Sequence, residues 1–248
     1  MIETRALRKS FGPQAVLCGV DLKVEPGEVV VIIGPSGGGK SVLLKHLIGL
    51  MPPDEGDVLV DGQNLTTMNE RQLLEVRRKF GMLFQGAALF DSMTVAQNVG
   101  FTLQRSRQWT RQEIDRKVAE ALAMVDLSGI EEKKPAELSG GMRKRVGLAR
   151  AIIYKPAFLL YDEPTTGLDP IMADSIDKLI VRICQVLKVT SIAVTHDMRS
   201  AGRIGQRILL LHEGRIYAGG SPREIFESQD PVVRRFVQGI SDPTEETP

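Results

Sequence analysis

The sequence has few of the residues that identify extracellular, redox-active or nucleic-acid-binding proteins. Its 248 residues include two cysteines and one tryptophan, and 32 basic and 31 acidic residues leave a formal net charge of +1. Two distant cysteines without metal-ligand spacing indicate small buried side chains in a reducing compartment rather than a disulfide. The balanced charge provides no overall field that would attract nucleic acid or an anionic membrane surface.

Long apolar runs are also missing. The longest are short, such as Val29 to Ile33, whereas a membrane-spanning helix requires roughly 18 residues. The charged N-terminus, MIETRALRKSFG, lacks the apolar stretch of a secretory signal, so we expect a protein that is not exported. The hydrophobic content of 42% is sufficient for a core of ordinary size. These features favour a globular protein that selects its partners through local surfaces.

Strand patterns alternate with helical patterns along most of the chain. Val16 to Val24 and Val58 to Val60 predict an antiparallel β layer. Val29 to Ile33 is a continuous β-branched run, which is typical of a strand buried on both faces. Further short apolar strands are predicted at Gly81 to Phe84, Phe158 to Tyr161, Ser191 to Val194 and Ile208 to Leu211. The alternation predicts an α/β fold with a mainly parallel sheet.

Helical spacing replaces the strand patterns between about Met93 and Lys155. Ile114 to Val125, for example, has apolar residues three and four positions apart. This region predicts a helical subdomain inserted into the α/β core. Near the C-terminus, Asp230 and Pro231 are suited to begin a short helix. Its predicted apolar face consists of Val232, Val233, Phe236, Val237 and Ile240, and the polar residues 241–248 predict a disordered tail.

A glycine-rich segment, GPSGGGKS, follows the predicted buried strand and precedes an apolar helical segment. In this context the P-loop pattern predicts a phosphate site, with a flexible linker as the alternative. Glycines let backbone N–H groups converge on phosphates, and the positive end of the next helix adds attraction. Lys40 is expected to reach the β- and γ-phosphates, and Ser41 to coordinate Mg²⁺. The predicted ATP-binding residues here are Gly34, Pro35, Ser36, Gly37, Gly38, Gly39, Lys40, Ser41 and Val42.

Polar residues that could act on a phosphate follow two of the predicted strands. Neighbouring side chains on a strand point to opposite faces, so Asp162 and Glu163 are predicted to have different roles. Asp162 suits the Walker B ligand of Mg²⁺, and Glu163 suits the general base for an attacking water. His196, which also ends an apolar strand, is expected near the ligand crevice and in reach of the γ-phosphate. Solvated acids at a strand end are the alternative.

Taken in order, these motifs resemble the ATP-binding subunits of ABC transporters from about residue 2 to residue 225. The sequence contains the P-loop, FQ ending at Gln85, LSGGM, LLYDEP, TGLD ending at Asp169, and THD. The resemblance implies that Gln85 reaches Mg²⁺ and the attacking water, and that Asp169 crosses an interface between two subunits. It also implies that Phe11 stacks on adenine, with an ordinary core aromatic as the alternative.

The same resemblance implies a fold and domain boundaries. The expected fold is a RecA-like P-loop NTPase core with an N-terminal antiparallel β subdomain and an inserted α-helical subdomain. The nucleotide-binding domain is expected at residues 1–225, with the helical subdomain at about residues 86–157. Residues 226–248 are expected to carry a C-terminal helix and the tail.

The LSGGMRKR segment has the residues expected at the start of a helix. Ser139 is a good N-cap, and Gly140 and Gly141 leave backbone N–H groups exposed for an anion. The resemblance implies that this N-terminus faces the γ-phosphate of ATP held by a second copy, so two chains enclose two ATP molecules. The RKR run is interpreted mainly as a solvated face. Met142 stands where most family members have glutamine, so we expect altered nucleotide contacts with turnover retained.

Several segments resemble one subgroup, the ATPases of MCE-type phospholipid transport systems of Gram-negative bacteria. They are SVLLKHLIGL, MLFQGAALFDSMTV, ELSGGMRKRVGLARAI and DPVVRRFVQGISD. The resemblance implies an ATP-hydrolysing homodimer that drives phospholipid transport from the cytoplasmic face of the inner membrane. Its implied partners are an integral membrane permease and an MCE-domain lipid-binding protein, with a small regulatory subunit as a further candidate and no nucleic acid.

Two alternatives to phospholipid transport stay open. One is the ATPase of a polar-solute importer, and the other is a permease-coupled ATPase that signals rather than transports. ABC ATPases of DNA repair and ribosomes typically have tandem nucleotide domains or long coiled-coil insertions, and this sequence has neither.

Overall fold

The computed structural model describes residues 1–106 and 108–240. These residues form two compact units. The first unit contains residues 1–25 and 29–68 and the chain from Val194 onward, and the second contains residues 26–28 and 69–193. Within the described ranges, no helix combines the length and apolar character that a membrane crossing requires.

The described residues form ten strands and nine α-helices. The strands are β1 Ile2–Phe11, β2 Gln14–Val24, β3 Val29–Ile33, β4 Glu55–Val60, β5 Gln63–Asn64, β6 Phe80–Leu83, β7 Phe158–Asp162, β8 Thr190–Thr195, β9 Arg207–His212 and β10 Arg215–Gly220. The helices are α1 Lys40–Leu47, α2 Glu70–Arg77, α3 Val95–Ser106, α4 Arg111–Met124, α5 Gly140–Ile152, α6 Pro170–Leu187, α7 Met198–Ile204, α8 Pro222–Phe226 and α9 Pro231–Gln238.

The first unit contains an antiparallel sheet with the strand order β2-β1-β4-β5. Ile2 lies opposite Val24 of β2 and Val60 of β4, and all three side chains are buried. In the same unit, β9 pairs in parallel with β3 and antiparallel with β10. Every residue of β3 is buried, as a continuous β-branched strand requires. This strand leads directly into the loop before α1.

The second unit places two parallel strands, β6 and β7, side by side. Phe80 lies opposite Phe158, and their rings stack with centroids 4.8 Å apart. At the other end of the pair, Leu83 lies opposite Tyr161. Because parallel strands end at the same edge, the residues that follow β6 and β7 emerge close together.

The C-terminal helix begins where the sequence predicts. The Asp230 side chain accepts hydrogen bonds from the backbone amides of Val232 and Val233 at 2.9 and 3.0 Å, and Pro231 occupies the first helical turn. The prediction that Ile240 belongs to the apolar face of this helix is wrong, because the helix ends at Gln238 and Gly239 has a left-handed φ of 66°. Val233 is buried, whereas Ile240 is 53% exposed. The predicted tail at residues 241–248 lies outside the described residues.

The α/β class, the antiparallel layer and the helical region predicted from the sequence are confirmed. Helices α3, α4 and α5 lie between β6 and β7, and β3 has the predicted bounds. Strand β1 was not predicted, because bulges interrupt its alternation. Ala6 has a left-handed φ of 45° there, and its amide donates to the Asp21 carboxylate at 2.7 Å. The domain boundary near residue 225 stays a prediction.

Gly81 of β6 packs closely against Ala151 of α5. A Cβ at this position would be 2.2 Å from the main-chain oxygen of Ala151 and 2.7 Å from Cδ2 of Leu159. Because a main-chain oxygen cannot move aside easily, we expect Gly81→Ala to lower the free energy of unfolding by about 2 kcal/mol. Urea denaturation followed by circular dichroism measures this change.

The matched control is Gly86→Ala, because no atom lies within 4 Å of a Cβ at Gly86. We expect this control to change the free energy of unfolding by less than about 0.5 kcal/mol. Equal effects of the two substitutions would contradict the proposed close packing of β6 and α5.

Candidate active site

The P-loop of the first unit connects β3 to α1 and depends on its glycines. Gly37 and Gly39 have left-handed φ angles of 77° and 92°, a region that side chains with a Cβ adopt only with strain. A Cβ at Gly38 would also lie 2.9 Å from the oxygen of Pro35. The backbone therefore folds back closely on itself before α1 begins at Lys40.

Lys40 is buried within this loop. Its ammonium group donates hydrogen bonds to the main-chain oxygens of Gly34 and Pro35, both at 2.9 Å. A buried ammonium requires such acceptors. The loop thereby holds a positive charge next to the N-terminus of α1, where an anion is favoured. Ser41 follows in the first turn of α1 and is half-buried.

Phe11 ends β1 at the tip of the hairpin that joins β1 to β2. Its ring is 46% exposed, and Nζ of Lys9 lies 5.8 Å from the ring centroid. An aromatic core residue would be buried, so this alternative for Phe11 is wrong. An exposed ring can stack on a nucleobase.

His196 is exposed and directly follows β8. The next residue, Asp197, caps α7 by accepting hydrogen bonds from the amides of Arg199 and Ser200 at 2.8 and 3.2 Å. The end of β8 and the start of α7 therefore fix the backbone on both sides of the histidine. His46 differs, because it is buried in α1 with Nδ1 2.7 Å from the oxygen of Val42. Burial lowers the pKa of His46.

In the second unit, the parallel strands bring Gln85 and the acidic pair to one edge. Gln85 lies two residues after Leu83 and is exposed. Asp162 ends β7, and both Asp162 and Glu163 are 8% exposed. Two oxygen-bearing side chains that could hold a metal, Gln85 and Asp162, thus lie near the ends of neighbouring strands.

Asp162 and Glu163 have different backbone conformations, which the strand pattern did not predict. Strand β7 ends at Asp162, and Glu163 has a left-handed φ of 47°. The two side chains therefore do not alternate along one strand, and this part of the sequence argument is wrong. Oε2 of Glu163 accepts a hydrogen bond from the Thr166 hydroxyl at 3.0 Å. A nearby hydroxyl therefore orients the carboxylate.

The LSGGM segment begins α5 as the sequence predicts. The Ser139 hydroxyl accepts a hydrogen bond from the Met142 amide at 3.3 Å, and Ser139 itself is exposed. Gly141 is buried, and a Cβ there would lie 2.0 Å from Cε of Met172 in the first turn of α6.

Asp169, for which the family resemblance implies a position at a subunit interface, caps α6. It is exposed, and its side chain accepts hydrogen bonds from the amides of Ile171 and Met172, both at 3.0 Å. Because Met172 packs on Gly141, the first turns of α5 and α6 lie close together within the second unit.

The interpretation of the RKR run as a solvated face is wrong for Lys144. Lys144 is buried, and its ammonium donates to the main-chain oxygens of Gln85 and Glu163, the latter at 3.1 Å. Burial lowers its pKa, while the nearby carboxylates of Glu163 and Asp162 oppose that shift. Its neighbour Arg145 donates to the oxygen of Val125 at 2.9 Å.

One signal in the sequence identifies the face on which Lys144 lies. Leu148 and Ile152 follow Lys144 at intervals of four residues, so all three belong to one helical stripe, and all three are buried. The apolar residues Leu148 and Ile152 therefore indicate that Lys144 also faces the protein interior.

A second cation of α5 holds the backbone that follows Gln85. Arg150 donates to the oxygens of Ala87 and Ala88 at 2.6 and 2.7 Å, and burial lowers the pKa of its guanidinium. Ala87 and Ala88 both have left-handed φ angles, 61° and 46°, which are uncommon for residues other than glycine. This role of Arg150 was also not predicted from the sequence.

The predicted metal ligands are hard oxygen donors. Among the residues that the structure describes, there is no cluster of three or more His, Cys, Asp or Glu side chains that could hold a metal ion. Mg²⁺ in phosphate-binding proteins is usually held by one or two carboxylates together with substrate phosphates. A hydroxyl from Ser41, an amide oxygen from Gln85 and the Asp162 carboxylate fit that preference.

Comparison with known proteins assigns these features to a family. The family model described as ABC transporter matches residues 17–166. The probable ribonucleotide transport ATP-binding protein mkl of Mycobacterium tuberculosis is 41% identical over 238 residues, which are 96% of this chain and 66% of that protein. The chain therefore spans just under two thirds of the length of this relative.

A second relative aligns over nearly its whole length. The intermembrane phospholipid transport system ATP-binding protein MlaF of Haemophilus influenzae is 37% identical over 242 residues, which are 98% of this chain and 92% of MlaF. Among solved structures, the ATP-binding cassette MJ0796, a dimer bound to ADP and Pi after hydrolysis, matches with a TM-score of 0.82 and 32% identity. The match covers 90% of this chain and 99% of MJ0796, and it confirms the predicted P-loop NTPase fold.

Proposed function

The chain belongs to the ABC transporter family, and from this premise we propose that it is the ATP-hydrolysing subunit of a phospholipid transporter. In this proposal two copies act together on a separate integral membrane permease. The main structural support is the glycine-rich P-loop, which surrounds the buried ammonium of Lys40. The alignment of this chain with 92% of MlaF supports the transport role.

The P-loop would bind the phosphates of ATP. Its amide groups and the N-terminus of α1 attract anions, and Lys40 adds a positive charge for the β- and γ-phosphates. Phe11 would stack on adenine through its exposed ring. The exposure of Phe11 and the burial of Lys40 support these roles.

Hydrolysis requires a base that orients and deprotonates water. We assign this role to Glu163, whose carboxylate is 8% exposed and accepts a hydrogen bond from Thr166. Gln85 would position the same water, and His196 would bond the γ-phosphate. A general base must lie within hydrogen-bond reach of the water that it deprotonates, and the bond from Thr166 fixes the carboxylate in one orientation.

Ser41, Gln85 and Asp162 would hold Mg²⁺, in agreement with their oxygen donors. When bound, Mg²⁺ supplies positive charge that neutralises the charge developing on the β- and γ-phosphate oxygens. Asp162 lies at the end of a buried strand, so its carboxylate has little conformational freedom.

The LSGGM segment would act on ATP bound by the second copy. Ser139 is exposed at the N-terminus of a 13-residue helix, and such an N-terminus favours an anion. Ser139, Gly140, Gly141 and Met142 would contact the partner's nucleotide, and Asp169 would lie at the interface between the copies. The solved dimer of MJ0796 supports this arrangement.

The relatives favour two substrate classes, of which we prefer phospholipid. The name of MlaF states phospholipid transport and that of mkl states ribonucleotide transport. The alignment covers 92% of MlaF but 66% of mkl, so MlaF is the better guide to the whole chain. The expected partners are then a permease, an MCE-domain protein and a small regulatory subunit, at the cytoplasmic face of the inner membrane. A polar-solute importer is the second candidate.

If Glu163 is the general base, its replacement should stop the catalytic cycle after ATP binding and before hydrolysis. Glu163→Gln should retain ATP binding but lower steady-state hydrolysis at least about a hundredfold, so that ATP-bound dimers accumulate. Gel filtration with ATP should show this dimer. Lys40→Ala should instead weaken ATP binding and form no such dimer. A Glu163→Gln protein that stays monomeric and hydrolyses ATP normally would contradict the assignment.

The substrate proposal is tested on the complex purified from detergent-solubilised membranes. Mass spectrometry should detect phospholipid bound to the complex, and phosphatidylethanolamine–phosphatidylglycerol vesicles should stimulate its ATPase activity about twofold or more. Uridine 5′-monophosphate is the comparison ligand and should not stimulate it. Stimulation by the nucleotide alone, without bound phospholipid, would favour the polar-solute importer.

A further inference from the structure

One face of α5 contacts the backbone that follows β6. Lys144, Gly147 and Arg150 lie three residues apart along this face. Lys144 and Arg150 donate to main-chain oxygens of residues 85, 87 and 88. Between them, a Cβ on Gly147 would lie 2.9 Å from Cδ1 of Leu83 and 3.1 Å from Cβ of Ala87. Two cations and a close contact therefore fix this backbone to α5.

Lys144 also contacts a second segment. The same ammonium that bonds to the oxygen of Gln85 donates to the oxygen of Glu163 at 3.1 Å. The residue after Glu163 is Pro164, which has no backbone N–H. The backbone amide of Thr166 also donates to the main-chain oxygen of Glu163, but over a longer distance of 3.4 Å. Lys144 thus provides the shorter hydrogen bond to this peptide unit.

The Glu163 backbone needs such support. Its φ of 47° is left-handed, which brings Cβ close to a carbonyl oxygen in residues other than glycine. A residue keeps such a strained backbone conformation only when contacts with the surrounding structure stabilise it. The ammonium of Lys144 and the hydroxyl of Thr166 are two such contacts, one on the main chain and one on the carboxylate.

We propose that Lys144 is a positioning residue that links the backbone of Gln85 to that of Glu163, so that both follow the position of α5. This inference rests on the proposed roles of Glu163 and Gln85. A displacement of α5 that breaks either hydrogen bond leaves a buried ammonium incompletely bonded, which is unfavourable. When α5 moves, the main-chain carbonyl groups of Gln85 and Glu163 therefore move with it. The LSGGM segment lies at the start of the same helix.

The test compares Lys144→Met with the control Lys178→Met. Methionine keeps an unbranched apolar stem like that of lysine, one atom shorter, but removes its donors. The Lys178 side chain is 74% exposed on α6 and pairs with Asp174, so its loss removes only a surface ion pair. Lys144→Met should lower kcat for ATP by about tenfold or more while the Kd for ATP changes by less than about threefold. The control should leave both values unchanged.

Hydrogen–deuterium exchange without nucleotide gives a second readout. In Lys144→Met, amides of residues 84–90 and 163–168 should exchange faster together, whereas the rest of the second unit should be unaffected. Lys144→Gln keeps a shorter side chain with donors, so its kcat should lie between those of the wild type and Lys144→Met. If the methionine variant does not fold, a kcat of Lys144→Gln equal to that of the wild type overturns the proposal.

Other outcomes separate this inference from the proposed function. Loss of hydrolysis in Glu163→Gln but not in Lys144→Met overturns only the role of Lys144. Faster exchange throughout the chain in Lys144→Met also overturns it, because the residue would then be a general stabiliser. Normal hydrolysis by Glu163→Gln would overturn the proposed role of Glu163 as general base, whereas linked exchange of the two segments would still support the structural connection.

Discussion

A buried lysine ammonium must have hydrogen-bond acceptors, and each unit of this protein contains functional loops arranged around that requirement. In the first unit, Lys40 bonds to two carbonyls of the phosphate loop. In the second, Lys144 bonds to the carbonyls of Gln85 and Glu163. Both lysines belong to helices that bury apolar side chains, so packing of the helices determines the conformations of these loops.

The proposed need for two copies follows from the two phosphate-binding segments of each chain, the P-loop and the LSGGM segment. The P-loop combines a helix N-terminus with a buried cation, whereas the LSGGM segment has an exposed N-cap serine followed by glycines. Gly141 is packed against Met172, so the start of α5 is supported from within its own unit. Its outer surface is then available to a nucleotide that the other copy holds.

Local sequence patterns predicted the parts of the site that depend on nearby residues. A continuous β-branched run gave the bounds of β3, and glycines marked the P-loop because two of them need left-handed φ angles. The burial of Lys144 could be predicted from Leu148 and Ile152 on the same helical stripe. Its acceptors could not, because they are 59 and 19 residues away in the sequence. The left-handed φ of Glu163 was also missed, since an apolar strand pattern does not reveal the residue at which a strand ends.

The central claim is that one chain cannot complete the hydrolytic site. The most direct test measures ATPase activity per chain over a wide range of protein concentrations, with sedimentation velocity reporting the fraction of dimer at each concentration. Activity per chain should rise with the dimer fraction and approach zero where the chain is monomeric. Constant activity per chain down to fully monomeric concentrations would contradict this claim.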